Sequence, residues 1–176
     1  MQNFTLYLDM DGVFADFDTY WEYVLKNKYG VEREDFDREL FRKEVKENDF
    51  FLHLPLCSNA MKLLDFVKSL DEEKITIEML SASGMSNREH VDRCRAQKTL
   101  WARKIGIDFK VNVVGNKEEK QKFVRNRGTI IIDDNADTIN AWNLNGGIGI
   151  YYQNDDADRI IERLRIFMNS IEGFKK

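Results

Sequence analysis

The stretch FTLYLDMDGVFADFD, residues 4–18, decides how the rest of the chain is interpreted. Its apolar run, residues 4–8, predicts a short buried strand. Asp9 and Asp11 follow directly where this run ends. Two carboxylates two residues apart can lean toward the same side of a strand end, and they resist joint ionisation unless a cation neutralises them or one keeps a proton. The stretch therefore predicts a strand that ends in a chemically active pair of acids.

Further apolar runs with turn residues at their ends predict four more strands, at Ile75–Leu80, Val111–Val114, Thr129–Ile132 and Ile148–Tyr152. Between and after these strands, apolar residues recur at helical spacing and predict three helices. The apolar positions run from Met61 to Leu70 in the first helix, from Val91 to Ile105 in the second and from Ile160 to Ile171 in the third. Asp155 or Asp156 is expected to cap the third helix. Strands alternating with helices predict an α/β fold, a three-layer α/β/α Rossmann-like core with a parallel sheet. Ligands in such folds bind at the carboxyl ends of the strands.

One region interrupts the alternation. Residues 17–53 contain no convincing strand, only two helical stretches at 18–30 and 33–48. We therefore expect a small helical cap at 17–53, inserted after the first strand, and a catalytic core formed by residues 1–16 and 54–176. Asp16 and Asp18 are expected to begin the cap helix.

Composition excludes several classes of function. The chain has 176 residues and a net charge of −4, from 27 basic and 31 acidic residues, so no long nucleic acid is expected as a partner. The sequence has neither a signal-peptide pattern nor an apolar run of membrane-spanning length, and no membrane partner is expected. Cys57 and Cys94 are expected to be free thiols in a reducing compartment, which predicts a cytoplasmic protein. Whether the chain forms a homodimer is left open.

A second acid pair, Asp133 and Asp134, follows the fourth predicted strand. An acid pair after a strand is often only a helix cap. Two such strands in one parallel sheet, however, place four carboxylates, those of Asp9, Asp11, Asp133 and Asp134, at the same edge. This concentration is unfavourable without a cation, and a hard divalent ion such as Mg²⁺ prefers oxygen ligands. The pattern predicts a Mg²⁺ site.

A hydroxyl and a lysine are candidates for holding an anion near these acids. Ser81 ends the second predicted strand and is followed by Ala82. Lys98 fills a gap in the apolar stripe of the helix after it, so its ammonium either extends to solvent or reaches the acidic edge. Lys117 and Lys120 are rival candidates, although both are also explained as part of a solvated helix face.

These motifs together resemble those of the haloacid dehalogenase (HAD) superfamily of phosphotransferases. Asp9 to Val13 is similar to its first motif, Ser81 to its second, a lysine to its third, and Asp133 with Asp134 to its fourth. More narrowly, DMDGVFADF resembles the opening of the 5'(3')-deoxyribonucleotidases. Further points of similarity to that group are the sequences NDFFLHLPL, KTLW and AWNLNGGIGIYY. Ala82 departs from the group, whose mammalian members carry a second hydroxyl there.

The resemblance implies a mechanism. Asp9 would attack the phosphorus of a nucleoside monophosphate to give an aspartyl-phosphate, and Asp11 would be the proton donor and then the general base. Mg²⁺ would be held by the carboxylate of Asp9, the backbone carbonyl of Asp11 and Asp134, with Asp133 orienting nearby groups.

The remaining positions would bind the substrate. Ser81 and Lys98 would bind phosphoryl oxygens, next to Ala82, and Lys98 would also be catalytic. Phe17 and Phe50 would contact the base and sugar, although each is also explained as part of the cap core.

The sequence thus predicts a Mg²⁺-dependent phosphomonoesterase for (deoxy)nucleoside 5'-monophosphates. The alternatives are a HAD phosphatase for another small phosphomonoester or a polynucleotide 3'-end, and a non-catalytic sensor of a phosphate ligand. Base preference, the choice between ribose and deoxyribose, and the choice between 5' and 3' phosphates are left open.

Overall fold

The computed structural model describes residues 4–32, 37–70, 75–153 and 156–170. A single parallel sheet of five strands lies at its centre, in the order β3-β2-β1-β4-β5. The strands are β1 (Phe4–Leu8), β2 (Ile75–Ala82), β3 (Lys110–Val114), β4 (Thr129–Asp133) and β5 (Ile148–Tyr151). The predicted α/β fold with a parallel sheet is confirmed, and each strand end lies within two residues of its predicted position.

Six α-helices are described: α1 (Phe17–Val24), α2 (Arg38–Glu47), α3 (Ala60–Lys68), α4 (Arg88–Lys104), α5 (Ala136–Leu144) and α6 (Ala157–Ser170). Shorter helical turns occupy Leu25–Tyr29, which is π-helical, and Phe50–His53 and Lys117–Phe123, which are 3-10. None of the helices in the described ranges is long and apolar enough to cross a bilayer. Of the predicted features of the last helix, Asp155 and Ile171 lie outside the described residues, whereas Asp156 accepts a hydrogen bond from the Arg159 amide at 3.1 Å.

Alternating side chains of the central strand enter two separate hydrophobic cores, as the period of two requires. Leu6 and Leu8 belong to the larger core, which α3, α4 and α6 cover. Tyr7 points to the other face, where it packs against Trp142 of α5 and Phe123. Helices therefore cover both faces of the sheet, and its strand ends remain as the edge at which a site can form.

The segment expected to form a cap lies between β1 and α3. Its first helix, α1, begins at Phe17 and is capped by Asp16, whose side chain accepts a hydrogen bond from the Thr19 amide at 3.2 Å. The helix α2 and the 3-10 turn Phe50–His53 both pack against α4. Positions 33–36, which begin the second predicted helical stretch, lie outside the described residues. This segment thus rests on the core next to the carboxyl end of β1.

Aromatic rings fill the interior of this segment. Phe17, Phe41 and Phe50 contact one another edge to face, with ring centroids 5.4–5.7 Å apart. Trp21 joins them from α1, 5.6 Å from Phe50. Edge-to-face packing of this kind stabilises a small core beyond the area that it buries.

Candidate active site

The topology brings the two predicted acid pairs together. Asp9 follows β1 directly and Asp133 is the last residue of β4, and these strands are neighbours in the sheet. Carboxylate oxygens of Asp9, Asp133 and Asp134 all lie within 4.8 Å of one another. The expectation that both pairs meet at one edge of the sheet agrees with this geometry.

Lys120 lies between two of these acids. Its ammonium is 2.7 Å from Oδ2 of Asp9 and 2.7 Å from Oδ2 of Asp133, and the residue is only 2% exposed. Burial alone would lower the pKa of Lys120, but the charges of Asp9 and Asp133 outweigh burial and raise it. Lys120 is therefore a fixed cation of the site and not part of a solvated helix face. Lys117 is half-buried and pairs with the exposed Asp137 at 2.7 Å, and it also lines the cavity into which the acids open.

Asp11 is held by a second lysine. Lys98 Nζ donates hydrogen bonds to Oδ2 of Asp11 and, at 2.8 Å, to Oγ of Ser81. The ring of Phe51 covers the same ammonium, 4.2 Å from the ring centroid, and Lys98 is fully buried. Of the two alternatives for Lys98, the ammonium therefore reaches the acidic edge and does not extend to solvent.

The second carboxylate oxygen of Asp11 differs from the first in its contacts. Oδ1 is buried and has no hydrogen-bond partner among the described residues. Burial and the neighbouring charge of Asp9 raise the pKa of Asp11, although Lys98 opposes both effects. Unsatisfied buried oxygens are rare, and protonation of Oδ1 would change it from an acceptor without a donor into an O–H donor. This arrangement suits a carboxyl group that gives up and takes back a proton.

Gly12 allows Asp134 to approach the first acid pair. Its backbone has φ +74°, in the left-handed region, and a Cβ at this position would lie 1.8 Å from Oδ2 of Asp134. A side chain at position 12 would thus occupy the space of the Asp134 carboxylate. Glycine is required here by both the backbone angle and the contact.

The acids open into a cavity of about 720 Å³. Of the predicted site residues, those that line it are Asp9, Asp11, Phe17, Ala82 and Asp134. The others, Phe50, Ser81, Lys98 and Asp133, are almost completely buried and are not part of its lining. Phe50 instead belongs to the aromatic core described above, because the ring packs on all sides against other rings. Ser81 and Lys98 lie behind Asp11.

Sequence reasoning missed several residues of the cavity wall. Tyr151, Tyr152 and Gln153 come from the end of β5, and Cys57 and Ser58 from the segment before α3. Tyr151 and Tyr152 end a predicted strand and Gln153 follows it, so the rule that ligands bind at carboxyl ends of strands would have indicated them. No sequence signal marked Cys57 or Ser58.

The donor set fits a hard divalent cation. Burial and the charge of Asp9 raise the pKa of Asp133 to about 6. Desolvation by the surrounding cavity wall, with the charges of Asp9 and Asp133, raises the pKa of Asp134 to about 8, although Asp134 is exposed to the cavity. These shifts express an excess of negative charge that Lys120 does not fully compensate, and Mg²⁺ would relieve it. Asp133 accepts hydrogen bonds from Lys120 and the Asn135 amide, and Asp9 likewise contacts Lys120 and accepts from the Met10 amide, so the exposed Asp134 is the acid most available to a cation.

Comparisons with known proteins support the fold. No protein-family model matches the sequence, and no curated protein matches it. A haloacid dehalogenase-like family hydrolase from Streptococcus pneumoniae has a similar structure, with a TM-score of 0.56 and 11% identity over 94% of this chain and 98% of that chain. A HAD-superfamily hydrolase from Ehrlichia chaffeensis gives a TM-score of 0.51 and 17% identity over 94% of this chain and 100% of that chain. The chain therefore has the α/β fold of HAD-superfamily hydrolases.

Proposed function

We propose that this protein is a Mg²⁺-dependent phosphomonoesterase that hydrolyses (deoxy)nucleoside 5'-monophosphates through an aspartyl-phosphate. One observation carries the proposal: Asp9 and Asp11 line the same cavity, the first beside Lys120 and the second with one oxygen free of any partner in the described chain. These different electrostatic surroundings support the proposal that Asp9 is the nucleophile and Asp11 the neighbouring proton donor.

In the first half-reaction a carboxylate oxygen of Asp9 attacks phosphorus. The bond from phosphorus to the ester oxygen breaks, and its electron pair stays on the leaving oxygen. Asp11 donates its proton to that oxygen, so the nucleoside leaves as a neutral alcohol. The bond from Lys98 to Oδ2 holds Asp11 in place and leaves Oδ1 for this proton transfer.

In the second half-reaction the ionised Asp11 takes a proton from a water molecule. The water oxygen attacks phosphorus, the bond to Asp9 breaks, and inorganic phosphate is released while the Asp9 carboxylate is restored. Lys120, which lines the cavity, contacts the phosphoryl oxygens and offsets their charge. Asp9, the backbone carbonyl of Asp11 and Asp134 would hold Mg²⁺, which when bound neutralises charge on the transferring phosphoryl group.

The cavity supports a substrate of nucleotide size. Its volume of about 720 Å³ lies within the usual range for small-molecule sites. Phe17 from α1 and Tyr151 from β5 provide aromatic surface in its wall, which suits a sugar and a planar base. The partner is therefore proposed to be a small nucleoside monophosphate and not a long nucleic acid. The proposed site of action is the cytoplasm.

The test is phosphate release from a panel of nucleoside monophosphates, sugar phosphates and 3'-phosphorylated oligonucleotides, with Mg²⁺ and with a chelator. We expect turnover of nucleoside 5'-monophosphates that needs Mg²⁺ and that Asp9→Asn abolishes without loss of the fold. If the protein hydrolyses other phosphomonoesters but no nucleoside 5'-monophosphate, the proposed substrate is wrong. Saturable binding of nucleotides without any turnover would identify a sensor and would contradict the enzymatic proposal.

A further inference from the structure

A second cleft, of about 40 Å³, lies between the helix α2 and the beginning of α4. It is lined by Arg42, Lys46, Asn87, Glu89, His90 and Arg93. No residue of this set is among those that line the cavity of the candidate active site. At this volume the cleft is too small for a nucleoside.

The charges in the cleft are mostly positive and weakly compensated. Arg42 lies 3.8 Å from Glu39 and Arg93 lies 3.6 Å from Glu89, and the carboxylates of both pairs are largely exposed. Lys46 has no ion-pair partner within the ranges that the structure describes. Exposed pairs at such distances contribute little, so these cations remain available to an anion.

The cleft also contacts a buried histidine. His90 is only 5% exposed, and its Nε2 lies 3.2 Å from the carbonyl oxygen of Ser83 and 3.3 Å from Sγ of Cys94. Its other ring nitrogen, Nδ1, makes no hydrogen bond to the described part of the chain. A protonated ring would donate from both nitrogens, through Nε2 to Ser83 and through Nδ1 to a ligand.

The backbone at the start of α4 also favours an anion in the cleft. The helix α4 has 17 residues and begins at the cleft, with the Asn87 side chain accepting from the His90 amide at 3.1 Å. The amino end of a helix carries partial positive charge, and this favours an anion beside it. Burial lowers the pKa of His90, and the charges of Arg42 and Arg93 lower it further, which is consistent with positive potential in the cleft.

We propose that this cleft is a binding site for a small oxyanion, either free inorganic phosphate or the phosphate group of a nucleotide, and that the anion links the cap to the core. Arg42 and Lys46 belong to α2, whereas His90 and Arg93 belong to α4, so a bound oxyanion contacts both sides of the junction. The Arg93 side chain already donates to the Lys46 carbonyl at 3.4 Å across it. The proposal does not depend on the proposed enzymatic activity.

The experiment follows the ring resonances of His90 by NMR in the full chain, without Mg²⁺, while inorganic phosphate or a nucleoside monophosphate is added at constant ionic strength. We expect a saturable shift of the His90 signals and a rise of its titration midpoint. The polar and charged groups around His90 are Arg42 and Lys46 from α2, Glu89, Arg93 and Cys94 from α4, and the Ser83 carbonyl. A response to phosphate identifies the free ion as sufficient, whereas a response to the nucleotide alone identifies its phosphate group as the ligand.

Variants separate this cleft from the candidate active site. Combining Arg42→Gln with Arg93→Gln should weaken the response by about tenfold or more, because two charge-assisted contacts are lost. Lys43→Gln combined with Arg88→Gln removes the same charge from the same helices outside the cleft and should keep the response. If the double variant Arg42→Gln/Arg93→Gln fails to fold, the single variant Lys46→Gln tests the proposal, because Lys46 lies on the surface. A shift of the His90 signals that rises linearly with ligand concentration, or that is equal in all variants, would overturn the proposal.

Discussion

The ammonium of Lys120 lies 2.7 Å from Oδ2 of Asp9, the proposed nucleophile, and joins it to Asp133. Lys120 thus contacts the proposed nucleophile, whereas Lys98 contacts Asp11, the proposed proton donor. Under the proposed mechanism the two lysines have separate tasks: Lys120 offsets charge around the nucleophile and Lys98 positions the proton donor.

Replacing Lys120 should abolish most of the activity. Lys120→Met removes a preorganised positive charge, and such losses reduce kcat by roughly 10²–10³-fold. Phosphate release under saturating Mg²⁺ measures the effect. Because the variant also leaves two buried acids without a cation, Lys120→Arg is the second variant; it keeps the charge and should fold.

The matched control is Lys122→Gln in the same 3-10 turn, whose side chain is 72% exposed. It should change the rate little. Equal losses in Lys122→Gln and Lys120→Met would mean that the turn as a whole, and not the ammonium beside Asp9, determines activity.

Gly12→Ala should disable the metal site more than it disturbs the fold. The new methyl group would coincide with Oδ2 of Asp134 and push that carboxylate away, and the left-handed backbone adds a strain of about 1–2 kcal/mol. We expect the rise in melting temperature on adding Mg²⁺ to disappear, together with turnover.

Gly146→Ala is the control for this prediction. Its φ is +86°, and a Cβ there would have no atom within 4 Å. It therefore reproduces the strain without the contact and should keep the response to Mg²⁺. If both variants lose that response equally, displacement of Asp134 is not the cause.

The sequence predicted the strands and the meeting of the acids because both depend on local patterns and one topological rule. Asp9 and Asp133 follow apolar runs, and parallel strands place their carboxyl ends together. The role of Lys120 depends on a feature that these patterns miss. Its segment, KEEKQKF, is a 3-10 turn, and the period of three puts Lys117, Lys120 and Phe123 on one side. Phe123 packs on Tyr7, which directs Lys120 inward.

Phe50 shows a different limit of prediction from sequence. A phenylalanine beside a ligand and one inside a small core give the same sequence signal. Only the packing of residues distant in sequence, here Phe17, Phe41 and Trp21, distinguishes the two.

Glu44 should be essential to the cap. This acid is only 3% exposed and accepts hydrogen bonds from Lys28 at 2.7 Å, from Asn48 at 3.1 Å and from the Tyr29 hydroxyl. It thus joins α2 to the π-helical turn Leu25–Tyr29 that follows α1. Glu44→Ala leaves these donors without an acceptor and should lower the free energy of unfolding by about 3 kcal/mol, as measured by urea denaturation.

Glu39→Ala is the control, since its carboxylate is 84% exposed on the same helix and contacts only Arg42 at 3.8 Å in the described chain. It should cost no more than about 0.5 kcal/mol. A similar loss in both variants would assign the effect to helix propensity and not to the buried contacts of Glu44.

His90 should make the fold sensitive to acid. Burial first, and then the charges of Arg42 and Arg93, lower its pKa in the folded protein below the ordinary value of 6.5. The unfolded chain therefore takes up a proton at a pH where the folded chain does not, so the contribution of His90 to stability is present above about pH 6.5 and is lost as the pH falls below it. The raised pKa values of Asp11, Asp133 and Asp134 act in the opposite direction, so the contribution must be measured as a difference between proteins.

The measurement is urea denaturation of the wild type and of His90→Gln at pH 7.5 and pH 5.5, in buffers without phosphate so that the proposed anion site stays unligated. The acids are common to both proteins and cancel in the difference. We expect the wild type to lose more stability than His90→Gln between the two pH values, whereas His53→Gln, at an exposed position on the cap, should follow the wild type. Parallel losses in wild type and His90→Gln would show that the buried imidazole is not the group that responds. Adding phosphate at pH 5.5 should then restore more stability in the wild type than in His90→Gln, because only the wild type has a protonated ring for the bound oxyanion to stabilise.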